Sequence, residues 1–290
     1  MAALLPYLRL LRAGTLFSPA ADVIAGRCIV AHATGLAVWS DGTAMAALCS
    51  VLLYAGGMVC NDVADVAEDR RRRPERPIPS GAIARPVAAT LALLLLTSGV
   101  ALSPMPSHHA VIAVLVLAYD FACKRNIFAG ALTMGILRAL NLATAAAPVW
   151  ESCPMPLAIA ALCYGVYIFA VTILGTFEDD PTVRPRTVVA IQAAPMWAAL
   201  GGLLAVQDGL WPAPMLALVP IIGLARRNRS IQRWDTNAIR GSMGFLLLGT
   251  MVYTALLCAA ADRWFETTAI SCCIPLARTV TKRLRLRVMT

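Results

Sequence analysis

Apolar stretches of membrane-spanning length recur along most of this chain, separated by short polar loops, and little else in the sequence restricts the fold as strongly. A helix rises about 1.5 Å per residue and a hydrocarbon core is about 30 Å thick, so roughly 20 apolar residues are needed to cross. Stretches of that order fall at about 18–39, 43–60, 86–103, 108–123, 127–149, 155–177, 187–206, 211–225 and 242–261, with 211–225 among the shortest. They are continuous runs without apolar–polar alternation, which selects helices over a transmembrane barrel. With 59% hydrophobic and only 14% charged residues, the chain does not have the composition of an ordinary soluble domain. The expected fold is all-α: a polytopic membrane helical bundle of about nine transmembrane helices over residues 1–266, followed by a basic tail at 267–290.

Basic residues alternate between the loops. Arg9 and Arg12 precede the first span. Arg70 to Arg73, Arg76 and Arg85 lie after the second, Lys124 and Arg125 after the fourth, and Arg184 and Arg186 after the sixth. Arg226, Arg227, Arg229, Arg233 and Arg240 precede the last. The loops near 40–43, 104–109, 150–156 and 207–212 hold no Lys or Arg. The positive-inside rule places the basic set in the cytoplasm, so the net charge of +9 reports topology and not nucleic-acid binding. The tail disagrees with this count. Nine spans starting from a cytoplasmic N-terminus end outside, yet the tail carries Arg278, Lys282, Arg283, Arg285 and Arg287. It is read as an exception lying on a lipid surface, the alternatives being a re-entrant 267–277 or a different count.

Residues 61–81, NDVADVAEDRRRRPERPIPSG, carry the chemistry. Asp62, Asp65 and Asp69 stand at i, i+3 and i+7, so a helix projects them from one side, and Asn61 joins that face. Like charges at this spacing repel one another, whereas a divalent cation would bring them together. Mg²⁺ takes hard oxygen ligands and commonly shares them with phosphate. An acidic face beside an arginine run therefore reads as a site for a Mg²⁺–phosphate compound, against the plainer reading of a solvated loop.

Ionisable groups also occur inside the apolar runs, where they are costly and tend to face a cavity. Asp22 with Arg27, and Asp120 with Lys124, could each be a structural pair. Arg138 and Asn141 share a face in GILRALN, and Arg138 has no acidic partner within its own span, which suits it to a phosphate oxyanion. Glu178, Asp179 and Asp180 end the sixth span before Pro181, on the same expected side as Asp62. They read either as a second metal cluster or as a loop balanced by Arg184 and Arg186. The nine cysteines form no metal-spaced pair, and His108–His109 reads as part of an external turn.

The segment Asn61, Asp62, Asp65, Asp69 and Arg76 to Gly81 is similar to the first signature of the UbiA-type intramembrane prenyltransferases, Asn-Asp-x-x-Asp-x-x-x-Asp followed by Arg-Pro-Ile-Pro-Ser-Gly. The layout of spans extends the likeness over most of the chain. YDFACK and LRALN look closest to a bacterial UbiA-like branch. The resemblance implies a helical bundle around a central cavity in the cytoplasmic membrane. It also implies Mg²⁺-dependent transfer of an isoprenoid from a prenyl diphosphate to a lipophilic, commonly aromatic, acceptor. Asn61, Asp62, Asp65 and Asp69, with Glu178, Asp179 and Asp180, would then be the metal side. Arg76, Tyr119, Lys124, Arg138 and Asn141 would be the diphosphate side. Tyr119 and Lys124 match with one residue more between them than the common pattern. The second signature, Asp-x-x-x-Asp, is compressed here into Glu178–Asp180. That departure favours a rival reading, a prenyl-lipid carrier on the same scaffold, although an intact Asp62, Asp65 and Asp69 serves no purpose in a mere carrier. A CDP-linked phosphatidyl transferase would need an Asp-Gly-x-x-Ala-Arg run, which the chain lacks.

Overall fold

The computed structural model describes residues 4–39, 41–146, 153–178, 184–207 and 212–286. All regular structure among them is helical. In chain order the α-helices are α1 (Leu5–Leu10), α2 (Phe17–Thr34), α3 (Asp41–Ala64), α4 (Val66–Arg72), α5 (Arg85–Ala101), α6 (Pro106–Phe121) and α7 (Ile127–Ala143). They continue as α8 (Met155–Thr176), α9 (Pro185–Val206), α10 (Ala213–Leu216), α11 (Leu218–Ser230), α12 (Thr236–Ala260) and α13 (Trp264–Leu286). Short 3-10 turns lie at Ala13–Thr15 and Cys123–Arg125.

Seven helical stretches among the described residues are long and apolar enough to cross a membrane, so the count of nine is not reproduced. The 86–103 run forms α5, whose 17 residues fall just short. The 211–225 run is broken at Ala217 into α10 and α11. Pro214 opens α10, and the second half of α11 carries Arg226, Arg227 and Arg229, which leaves too little apolar length for a full crossing. The basic tail, 267–290, is helical as far as it is described, to Leu286, and lies within α13.

The chain divides into two compact units. The first comprises Met1–Ala20, Ser40–Ala122 and Cys272–Thr290. Within it α3 packs on α5 and α6. Small residues set those contacts: a Cβ on Gly99 would stand 2.9 Å from the Leu53 side chain, and one on Gly57 would stand 3.0 Å from Val116. Backbones approach closely where side chains are absent, as membrane helices require. His108 and His109 do not form an external turn. They are buried in the first turns of α6, where the His109 ring bonds the Ser103 hydroxyl.

The second unit comprises Ala21–Trp39 and Cys123–Ser271. Here α8 packs on both α7 and α9, and α12 lies against α8 and α9. The α7–α8 crossing is a glycine contact: a Cβ on Gly135 would stand 2.7 Å from the Gly165 carbonyl oxygen. The core is aliphatic around three tyrosines, Tyr164, Tyr167 and Tyr253. Each tyrosine hydroxyl is satisfied, Tyr167 donating to the Leu246 carbonyl and Tyr253 to that of Ala160. In the same unit buried Gln192 accepts from Asn228 at 2.7 Å.

Candidate functional site

The expected site residues divide between the units. Asn61, Asp62, Asp65, Asp69, Arg76 and Tyr119 belong to the first, and Lys124, Arg138, Asn141 and Glu178 to the second. Asp179 and Asp180 lie outside the described residues.

In the first unit the acidic face runs through a break. Helix α3 ends at Ala64, and Asp65 leaves helical geometry at φ −91°, ψ 7° before α4 begins at Val66. The main-chain bonds nonetheless keep an i to i+4 rhythm, Asp65 N–H to the Asn61 carbonyl at 3.0 Å and Asp69 N–H to that of Asp65 at 2.8 Å. The face read from the spacing therefore survives, and Asp62 and Asp69 are both buried on it. The turn after α4 is held by Ile78 and Ile83, both buried, and by Gly81 at φ +78°. Arg76 lies between the end of α4 and this turn, and its side chain reaches back to the aspartates. Arg76 Nη1 donates to Asp69 Oδ2 at 2.7 Å and to Asp62 Oδ1 at 3.2 Å. Two carboxylates separated by seven residues thus converge on one cationic nitrogen.

A second cation reaches the same place. Arg12 Nη2 donates to Asp62 Oδ1 at 3.2 Å. In the sequence Arg12 stands out only as a topology charge, because no local pattern ties residue 12 to residue 62. Tyr119 lies within electrostatic reach of Asp65 and Arg12. Among the described residues no three His, Cys, Asp or Glu side chains stand together as a metal cage. The donor set nevertheless suits Mg²⁺: hard carboxylate oxygens from Asp62 and Asp69, already directed at one positive group, with Asn61 and Asp65 on adjoining turns.

The second unit corrects two readings. Arg138 does have an acidic partner, supplied by another helix. Its Nη1 lies 3.1 Å from Asp22 Oδ2 and its Nη2 is 3.4 Å from Asp22 Oδ1. Asn141 Nδ2 donates to Asp22 Oδ2 at 2.8 Å, and the Tyr164 hydroxyl donates to Oδ1 at 2.9 Å. Arg138 Nη2 also donates to the Tyr164 oxygen at 2.6 Å. The guanidinium that was read as waiting for phosphate is engaged in a closed, buried network. Asp22 is likewise not paired with Arg27, whose Nε donates to the Ala37 carbonyl. Tyr164 went unread because a single tyrosine in an apolar span carries no local signal. Glu178 is bonded by Arg240. Lys124 sits in the turn Cys123–Arg125, against which Gly130 packs closely. The same unit holds an apolar cleft lined by Tyr167, Met196, Phe245, Leu248, Val252 and Leu256 among others, whose carbon walls suit a hydrocarbon chain.

The model of the UbiA prenyltransferase family matches residues 23–249. The chain is 29% identical to a digeranylgeranylglyceryl phosphate synthase of Methanoregula boonei over 82% of this chain and 93% of that protein. It is 34% identical to the enzyme of the same name from Ignicoccus hospitalis, over 47% of this chain and 45% of that protein, so it spans less than half of that relative. These relatives are archaeal and lend no support to a bacterial branch. A solved structure of a UbiA homologue from Archaeoglobus fulgidus bound to GPP and Mg²⁺ shares the fold at TM-score 0.57 and 14% identity, covering 88% of this chain and 99% of that one. A structure from work on digeranylgeranylglyceryl phosphate synthase in membranes gives 0.61 at 18% identity, covering 90% and 99%.

Proposed function

The chain belongs to the UbiA prenyltransferase family, and from that premise we propose that it is a membrane enzyme moving a prenyl group from its diphosphate to the hydroxyl of a glycerol-phosphate-type lipid. The observation that carries this reading is the convergence of Asp62 and Asp69 on a single cationic nitrogen within the motif Asn61–Asp69. The names of the archaeal relatives support a glycerol-phosphate acceptor over the aromatic one expected from the motif alone.

Asn61, Asp62, Asp65 and Asp69 would hold Mg²⁺, which when bound withdraws charge from a diphosphate leaving group. Arg76 and Arg12, already at the carboxylates, would supply positive charge to the remaining phosphate oxygens. The carbon–oxygen bond at prenyl C1 breaks and its electron pair leaves with the diphosphate. An acceptor oxygen forms the new bond to that carbon and gives up its proton. Apolar walls keep water from the cationic carbon while the bond is open. The Asp22–Arg138 network enters this reading as scaffold.

The test is product formation by the purified protein with geranylgeranyl diphosphate and either geranylgeranylglyceryl phosphate or 4-hydroxybenzoate, with Mg²⁺ and with chelator. Transfer to the glycerol lipid alone is expected. Transfer to the aromatic acid alone would replace the acceptor and keep the class, whereas Mg²⁺-independent binding of the diphosphate without turnover would favour the carrier.

A further inference from the structure

Helix α13 touches the chain at both flanks of α2. Near its start, buried Glu266 accepts a bond from the Trp39 indole at 2.8 Å, and Trp39 lies just beyond the C-terminal end of α2. Near its finish, Arg9 Nε donates to the Leu284 carbonyl at 3.1 Å, and Arg9 lies before the N-terminal end of α2. From Glu266 to Leu284 a helix rises about 27 Å, close to the roughly 30 Å of a hydrocarbon core. A helix tied to both flanks of a membrane-crossing neighbour must make the same crossing.

The sides of α13 agree with this. Glu266, Ile270 and Ala277 are buried at helical spacing. Trp264, Phe265 and Leu276 are exposed over the stretch 264–276, and exposed Arg278, Lys282 and Arg283 follow it. That is the distribution of a helix facing lipid first and headgroups last. It is entered by a Schellman turn: Arg263 N–H bonds the Cys258 carbonyl, Asp262 N–H bonds that of Ala259, and Asp262 stands at φ +56°. The exposed cations Arg278, Lys282 and Arg283, together with buried Glu266, lower its mean hydropathy and keep it from reading as an apolar run.

The finish of α13 also bears on the acidic site. It packs so tightly on Gly14 that a Cβ there would stand 2.1 Å from Thr281 Oγ1 and 2.9 Å from the Ala277 carbonyl oxygen. Two residues earlier, Arg12 is held at φ +48°, in the left-handed region that an ordinary residue avoids. Surroundings must fix such a residue if it is to persist. Arg9 on Leu284 and Gly14 on Ala277 and Thr281 bracket it, and its guanidinium lands on Asp62.

We propose that α13 is a further membrane-crossing helix whose last turns position Arg12 against Asp62. The crossing stands independently of the enzyme reading, while the positioning role rests on it. The first arm of the test therefore needs no activity. A cytoplasm-active fluorescent reporter and an export-active phosphatase are fused in turn after Asp262 and after Thr290 of the full chain. Opposite sides for the two positions are expected, and the same side overturns the crossing. The second arm measures Mg²⁺-supported binding of geranylgeranyl diphosphate to purified Arg12→Ala, Gly14→Leu and the double variant, with Arg9→Ala as a milder undocking should Gly14→Leu not fold. If α13 acts through Arg12, the single variants move Kd in the same direction and to within about twofold of each other, and the double moves it no further. Multiplying effects, or a Gly14→Leu or Arg9→Ala protein with wild-type Kd, overturn the positioning role.

Discussion

Two groups of charged side chains dominate this molecule, and they differ in what each residue has left to do. Asp22 is fully buried and has its two oxygens answered by Arg138, Asn141 and Tyr164. Removing one member of such a set leaves an uncompensated charge in a medium that cannot solvate it, at a cost of about 3–5 kcal/mol. Arg138→Met is therefore expected to lower the unfolding midpoint in detergent sharply, and Asp22→Asn added to it should restore a large part of the loss, as thermal unfolding followed by tryptophan fluorescence would show. Asp62 is different. Its partners are two arginines outside the core, one of them exposed by 37%, and its environment can be exchanged for a metal without dismantling a core. Asp62→Ala is expected to leave the unfolding midpoint within a few degrees of wild type while abolishing Mg²⁺-dependent binding of geranylgeranyl diphosphate. A large fall in midpoint with retained binding would move Asp62 from the site to the scaffold.

At the scale of elements, small residues decide where helices meet and where the chain turns back. Gly81 closes the turn that follows Arg76, and no atom lies within 4 Å of where its Cβ would stand. Gly81→Ala therefore tests backbone alone, with an expected loss of about 1 kcal/mol from the left-handed conformation and a weaker diphosphate affinity as Arg76 loosens. Gly135 tests the opposite case, since its φ is ordinary and its neighbour is a backbone oxygen that cannot move aside. Gly135→Val should separate α7 from α8 and reduce the yield of monodisperse protein on size-exclusion chromatography, with no repair by changes at the acidic motif. Much of this level is legible in the sequence: the motif face and most helix bounds follow from local spacing, Pro and Gly. The broken α10–α11 segment was legible only in part: 211–225 stands out as short, but the break at Ala217 has no local signal of its own. Arg12 and Asp22 were misread for a related reason. Their partners are 50 and 116 residues away, and local spacing carries no information across such separations.

At the scale of the whole molecule, the proposed enzyme and the rival carrier differ in whether a bound prenyl diphosphate is cleaved. The compressed cluster Glu178–Asp180 argues for holding, since it departs from the two-signature pattern, and Glu178 is occupied by Arg240. The first signature argues for cleavage. A carrier gains nothing from gathering Asp62 and Asp69 at one cation, because bringing carboxylates together costs energy that only a metal or a fixed cation returns. The two readings separate in a single-turnover experiment with excess protein and labelled geranylgeranyl diphosphate. An enzyme releases diphosphate at a rate that Mg²⁺ supports and the acceptor lipid accelerates, and chelation stops release until Mg²⁺ is restored. A carrier binds and returns the intact diphosphate ester whatever acceptor is supplied. Release is the expected outcome. The Arg240→Ala protein then locates the second cluster: if freeing Glu178 from its guanidinium alters the Mg²⁺ concentration needed for half-maximal release, the cluster contributes to the metal side, and an unchanged requirement leaves Asn61 to Asp69 as the whole of it.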